Sequence, residues 1–231
     1  MKLAMPWIFR NPRWRLGAAG LSLALLCGCG ALTPAAGPHP RFFSLTGARG
    51  TAEVAPQAGT TATATAPTLI VSPPRAAAGF DSPHIVYVRH ANQLEQYAHN
   101  EWVDTPARML APLIVAAIEQ RGAFRAVVQT PSTVAGDMGL DTEVLRLQHE
   151  FLSKPSRVRF VLRAYLVDKV SRQVLGSREF EAVIPAPSED PYGGVMAAND
   201  AVRSVLEALA AFCAETAAGR WTRSATGAVP R

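Results

Sequence analysis

The chain has 231 residues, with 23 Lys and Arg against 18 Asp and Glu, a formal charge of +5 and three cysteines. Four of the basic residues (Lys2, Arg10, Arg13 and Arg15) and none of the acidic ones fall within residues 1–28, so the remainder is close to neutral. That distribution excludes nucleic acid as a partner, because a footprint for it needs a basic folded part. The remainder is long enough for one well-buried domain with tails.

Residues 16–26 are rich in Leu and Ala and lead into Cys27-Gly28-Cys29. A basic start, an apolar middle of ~7–15 residues and a small-residue ending make a secretory signal peptide. A transmembrane helix needs ~20 apolar residues, and Gly28, Gly30 and Pro34 close this run too soon. Leu26, Cys27 and Gly28 ahead of Cys29 resemble the bacterial lipobox, which implies cleavage after residue 28 and lipidation of Cys29. Cys27 fits less well, since bulky Leu25 and Leu26 fill the two preceding places. The alternative is an ordinary signal peptide with an incidental cysteine. Gly30 follows the acylated position, where Asp favours inner-membrane retention, so the expected location is the periplasmic face of the outer membrane. Cys213 then has no partner for a disulfide within the mature chain. It follows Phe212 on the apolar side of a predicted helix and reads as a small core residue.

Residues 29–40 are mostly Ala, Pro and Gly and read as a lipidated tether, its last eleven residues spanning at most roughly 35 Å. The domain is expected over 41–218. Arg41-Phe42-Phe43-Ser44-Leu45 is its first strand, followed at 47–67 by an Ala/Thr-rich segment that reads as a flexible insertion. Thr68-Leu69-Ile70-Val71 and His84 to Arg89 are further strands, and Leu94 to His99 is a hairpin partner after a turn at Ala91-Asn92. Asp104-Thr105-Pro106 starts a helix with a stripe of Leu110, Leu113, Ile114, Ala117 and Ile118, and Gly122 stops it. Pro112 conflicts with that helix, which must kink there or begin later. Phe124 to Gln129 reads as a buried strand.

Three alternating segments follow, joined by short turns. Thr142 to Phe151 puts Glu143, Leu145, Leu147, His149 and Phe151 on one face. Arg157 to Asp168 puts Val158, Phe160, Leu162, Ala164 and Leu166 opposite Arg157, Arg159, Arg163 and Tyr165. Gln173 to Ile184 groups Val174, Arg178, Phe180, Ala182 and Ile184. This is the pattern of an antiparallel meander with one buried face. A second helix opens after Asp190-Pro191, with Val195, Ala198, Val202, Val205, Leu206, Leu209, Phe212 and Cys213 as its stripe. Residues 219–231 read as a disordered tail. The expected fold is a single α+β domain, a mostly antiparallel sheet with two main helices on one face.

Chemistry-bearing patterns are sparse. There is no P-loop and no G-x-S-x-G serine. His84 and His90 lie six residues apart on one strand, roughly 20 Å, too far to share a metal ion. His99, Glu101 and Asp104 suggest an acid–base group, without a convergent nucleophile. No catalytic residue, metal or cofactor is assigned. Two features are possible interfaces: the arginine row Arg157, Arg159 and Arg163, suited to lipid phosphates or an acidic partner, and Trp102, which otherwise anchors the core where sheet and helix meet.

Pro83-His84-Ile85-Val86-Tyr87-Val88-Arg89, then Leu94, Tyr97 and His99-Asn100-Glu101-Trp102, then the Pro106 helix and Gly122-Ala123-Phe124, resemble the ABC-type transport auxiliary lipoprotein family. That family includes the lipoprotein of the Pqi intermembrane transport system. Its early strand is matched by Arg41 to Leu45, its sheet segment by Val174-Leu175-Gly176-Ser177-Arg178-Glu179-Phe180, and its last helix by the step at Asp190-Pro191. The likeness covers roughly residues 40–217; the Ala/Thr-rich insertion, Phe42-Phe43 in place of tyrosines and Pro112 depart from it. The resemblance implies a non-catalytic accessory to an ABC permease and ATPase and an inner-membrane MCE-domain protein, trafficking lipid or other hydrophobic substrates. Self-association into a homo-oligomer is compatible with that role. A competing reading is a structural or regulatory envelope lipoprotein that contacts peptidoglycan or a cell-wall enzyme.

Overall fold

The structure is a computed structural model and describes residues 39–46 and 66–226. The expected signal peptide (1–28), residues 29–38 of the expected tether with Cys29, 47–65 of the expected insertion and 227–231 of the expected tail lie outside the described residues. In chain order the elements are β1 (Arg41–Phe43), β2 (Thr68–Val71), β3 (Arg75–Ala76), a 3-10 turn (Ala78–Phe80), β4 (His84–Val88), β5 (Glu95–Trp102), α1 (Pro106–Arg121), β6 (Ala126–Gln129), β7 (Met138–Glu150), β8 (Arg157–Asp168), β9 (Val174–Pro185) and α2 (Pro191–Thr226).

β7 is the strand against which the rest is laid. Along one edge it pairs with β8, antiparallel, from Met138 opposite Asp168 to Glu150 opposite Arg157. Along the other edge it takes three short strands end to end, all parallel: β2 at Met138–Leu140, β3 at Glu143–Val144 and β4 at His149–Glu150. β6 adds parallel outside β2, β5 antiparallel to β4, and β1 parallel to β5. β9 completes the meander on the far side of β8. The sheet is therefore mixed, not mostly antiparallel as the alternation suggested. Alternation reports which face is buried, not which way a neighbour runs. β2 does carry the parallel signature: Thr68, Leu69, Ile70 and Val71 are all buried, as expected of a strand flanked on both edges and covered on both faces.

Two further expectations are corrected. The register shifts at a bulge between Val144 and Arg146, and a bulge moves side chains to the opposite face. Met138, Leu140 and Val144 are buried before it and Leu147 and His149 after it, whereas Glu143 and Leu145, expected to share that face, are only half-buried. Phe124 is buried, but β6 itself is half-buried to exposed because it is an edge strand rather than an interior one. The meander's second segment matches its pattern, with Val158, Phe160, Leu162, Ala164 and Leu166 all buried. In β9, Phe180 and Ala182 are buried while Val174, nearer the turn, is 60 % exposed.

α1 carries Pro106 in its first turn, and Gly122 ends it in the left-handed region (φ 66), donating its N–H to the Glu119 carbonyl at 3.0 Å. Thr105 occupies the N-cap position without a side-chain bond; Asp104 Oδ1 instead accepts the Thr105 N–H at 2.7 Å. The helix runs through Pro112 unbroken. Pro112 and Arg108 are both exposed, so the carbonyl that Pro112 cannot serve lies on the wet side. Every residue of the stripe expected in α2 is buried. Cys213 is among them, its thiol pushed up to about 12 by burial. α2 passes Gly219, where the tail was expected to begin, and continues to Thr226. It packs on β8 and β9 and against α1.

Candidate functional site

The structure separates the residues singled out from sequence. Cys29 lies outside the described residues. Trp102 is 3 % exposed and belongs to the core, so it anchors the junction of β5 and α1 and presents no surface. Arg157, Arg159 and Arg163 do share the outer face of β8, but each is answered by a carboxylate on a neighbouring strand. Arg159 Nε donates to Glu150 at 2.8 Å and its other arm reaches Glu181, while Arg157 lies 3.5 Å from Glu150. Arg163 stands between Glu179 at 3.1 Å and Glu143 at 3.8 Å.

The row is a ladder of alternating charge across β7, β8 and β9. It does not present free cations to lipid phosphates. Its exposed rungs contribute little to stability. Glu150 differs because it is 3 % exposed and also accepts the Gln148 amide at 2.7 Å. Burial pushes its carboxyl up, but hydrogen bonds from Arg159 and Gln148 and the charges of Arg159 and Arg157 outweigh that and hold it below the usual carboxylate value. The acids that answer the arginines come from two other strands, so only the register reveals them.

Sequence reasoning missed the polar centre at the far end of β7. His149 is 2 % exposed. Its Nδ1 lies 3.1 Å from the Tyr97 hydroxyl on β5, and its Nε2 lies 2.9 Å from the Ser156 hydroxyl ahead of β8. A neutral imidazole has one donor and one acceptor nitrogen, so both contacts are satisfied in either tautomer. Burial holds the His149 pKa below the ordinary value, against the opposing charges of Glu189 and Asp190. Ser156 is wholly buried, its N–H donating to Glu189 Oε1 at 2.7 Å and its carbonyl accepting the Ala186 N–H at 2.7 Å. Around the imidazole stand Phe151, with ring centroids 4.2 Å apart, and the Tyr87–Tyr97 pair at 4.5 Å. The first turn of α2 closes the group, Gly194 sitting so near that a Cβ there would fall 2.5 Å from His149 Nδ1.

A serine 2.9 Å from a histidine nitrogen has the spacing of a nucleophile and its base. Access argues otherwise. The adjoining cavity, lined in part by Trp102, Leu147, His149 and Val158, is about 10 Å³, room for about one water. The pair joins β7 to the segment ahead of β8, and the bond from the Ser156 N–H to Glu189 links that segment to the one ahead of α2. A signal for it was available in the alternation, which put His149 on the same face as Leu147 and Phe151. Elsewhere, His84 faces Glu101 at 3.7 Å across the β4–β5 hairpin while His99 is exposed. Among the described residues no three His, Cys, Asp or Glu side chains are grouped to hold a metal, and no helix is long and apolar enough to cross a membrane.

Comparison with known proteins decides the class. Residues 51–210 match the family model for the ABC-type transport auxiliary lipoprotein component. The chain belongs to this family. The auxiliary-lipoprotein fold has solved relatives: protein XCC0632 from Xanthomonas campestris, of family DUF330, is similar at 25% identity and TM-score 0.63, over 68% of this chain and 89% of that one. An uncharacterized protein of known crystal structure shares the fold at 13% identity and TM-score 0.56, over 77% of this chain and 98% of that one. No curated protein matches the sequence. The auxiliary-lipoprotein match takes in every strand from β2 to β9, both sides of the charge ladder and the whole His149 centre.

Proposed function

We propose that this chain is an outer-membrane lipoprotein, anchored through Cys29 and facing the periplasm, that serves as a non-catalytic accessory of an ABC/MCE-type system moving lipids or other hydrophobic substrates between membranes. The observation that carries the reading is the family match over residues 51–210. The lipobox-like Leu26-Cys27-Gly28-Cys29 supports the anchor, and the burial of the Ser156–His149 pair supports a positional rather than catalytic role. One acyl chain binds reversibly, whereas the several chains of a mature bacterial lipoprotein anchor stably. The partners in this reading are an inner-membrane MCE-domain protein and an ABC permease and ATPase, with self-association of the domain as a further part.

Affinity purification of the full chain from envelope membranes tests it. Co-purification of MCE and permease subunits is the expected result, together with a Cys29→Ser protein that leaves the outer-membrane fraction. Recovery of cell-wall enzymes alone, or a Cys29→Ser protein that stays in the outer membrane and remains active, overturns it.

A further inference from the structure

Among the described residues four strands have a single neighbouring strand: β1, β3, β6 and β9. The first three are two to four residues long, whereas β9 has twelve. A short edge offers little to pair with, but a long one presents a row of unsatisfied backbone groups. In an antiparallel pair alternate residues turn their N–H and C=O toward the partner, and the residues between them turn theirs away. β9 has β8 along one side from Val174 to Pro185, so the residues between hold their backbone groups out at the free side. Among the described residues no loop or other strand answers them. α2 covers only the inner face, where the Phe180 and Phe212 rings lie 5.8 Å apart, and the outer face leaves Ser177, Glu179, Glu181 and Val183 exposed.

Charge says what fits beside this edge. Across the outer face the ladder runs from acid on β7 to base on β8 to acid on β9, and there it stops. Glu179 and Glu181 are its last column, their side chains 52 % and 49 % exposed. Each holds its arginine through one oxygen: Arg163 donates to Glu179 Oε2 and Arg159 to Glu181 Oε1. A carboxylate accepts on both oxygens, so each has one left for a cation on the free side. The next column of the series is therefore basic. A second copy of the chain does not supply it. Paired antiparallel along the whole strand, the copy's β9 sets Glu179 against its own counterpart or against Glu181, and like charges directly opposed are destabilising.

We propose that the free edge of β9 takes an additional strand from a partner protein. The strand is an extended segment with Lys or Arg at two alternate positions beside Glu179 and Glu181 and an apolar residue beside Val183. Main-chain bonds hold such a segment and the alternate side chains select it. The proposal does not depend on an acyl group at Cys29.

The test adds a capped peptide, Thr-Val-Thr-Lys-Thr-Lys-Thr-Val-Thr, to the full chain at low salt and follows amide hydrogen exchange by mass spectrometry. The peptide reads the same in both directions, so it fits a parallel or an antiparallel register. Exchange over 174–185 is expected to slow about fivefold or more, with β1, β3 and β6 unchanged. A peptide with Glu in place of Lys is expected to do nothing. Glu179→Gln with Glu181→Gln is expected to weaken binding about threefold to tenfold. If that double variant exchanges faster throughout the chain, Glu181→Gln alone replaces it, since Arg159 keeps Glu150. N-methylating one alternate set of peptide amides is expected to abolish protection and N-methylating the other to leave it. Protection that survives both methylations, is equal with the Glu peptide, is unmoved by the Gln variants or falls on other strands overturns the proposal. Slow exchange over 174–185 in the chain alone, lost on dilution, makes the occupant a second copy and equally overturns it.

Discussion

Replacing His149 by Phe keeps a ring in the core and removes its titration. Because burial depresses the imidazole pKa, the folded protein binds that proton less readily than the unfolded chain does. Above about pH 6.5 the imidazole is neutral in both states and contributes no pH dependence. As pH falls below that value the unfolded chain gains a proton that the folded one refuses, and stability drops by up to about 1.4 kcal/mol per pH unit. From pH 7.5 to 5.0 the ceiling on this loss is about 2 kcal/mol, reached if His149 stays neutral throughout. Glu189 and Asp190 pull the other way through water-screened fields, so the measured drop lies under that ceiling. The Phe variant abolishes the drop but leaves the Ser156 hydroxyl, wholly buried, without its partner, at a cost of ~1–3 kcal/mol at every pH. The hydroxyl of Tyr97, itself half-buried, loses the same partner. Adding Ser156→Ala recovers most of that loss and keeps the flat profile. Urea denaturation followed by circular dichroism at pH 7.5 and 5.0 measures all three proteins. Equal loss of stability on acidification in wild type and His149→Phe refutes the reasoning.

Two other substitutions probe neighbouring parts of the sheet. Glu150→Gln takes a carboxylate from Arg157, Arg159 and Gln148 while leaving Arg159 its contact with Glu181; urea denaturation at pH 7 is expected to show a loss of about 2 kcal/mol. Because the folded pKa of Glu150 is depressed, this difference is complete above about pH 4.3 and shrinks as pH falls through the folded value; a difference that grows in acid contradicts it. Gly194→Ala places a methyl 2.5 Å from His149 Nδ1 and about 3.1 Å from two ring carbons, so the ring must move away from Tyr97. The expected cost is ~1–3 kcal/mol, with a changed imidazole signal in NMR spectra; an unmoved signal and unchanged stability count against the close packing.

The two helices, the meander and most of its faces were legible in sequence because periodicity of about 3.6 or 2 is a local property of twenty residues or fewer. Gly122 and Pro106 marked the ends of α1 for equally local reasons. What could not be read was who pairs with whom. Nothing in Arg75-Ala76 or His84 to Val88 says that both lie parallel along β7, more than sixty residues away. The bulge after Val144 inverted one stretch of the expected face for want of any marker at Leu145. The same blindness to register made Arg157, Arg159 and Arg163 look like an open cationic row, since Glu143, Glu150, Glu179 and Glu181 become neighbours only once three strands align.

The position of β7 in the chain has a consequence for how the protein is made. A polypeptide emerges from its amino end, and here β2, β3 and β4 appear well before residue 138, the first of the strand that must receive them. Until then they have no common edge to join, and their backbone amides and apolar residues have only chaperones or other nascent strands for company. Assembly of the amino-terminal half is thus deferred until more than half of the chain has been made, a long-range closure of the slow, aggregation-exposed kind. A truncation ending before β7 leaves β3 with no strand to pair with, while β1–β5, β4–β5 and β2–β6 keep one pairing each but lose the edge that joins them.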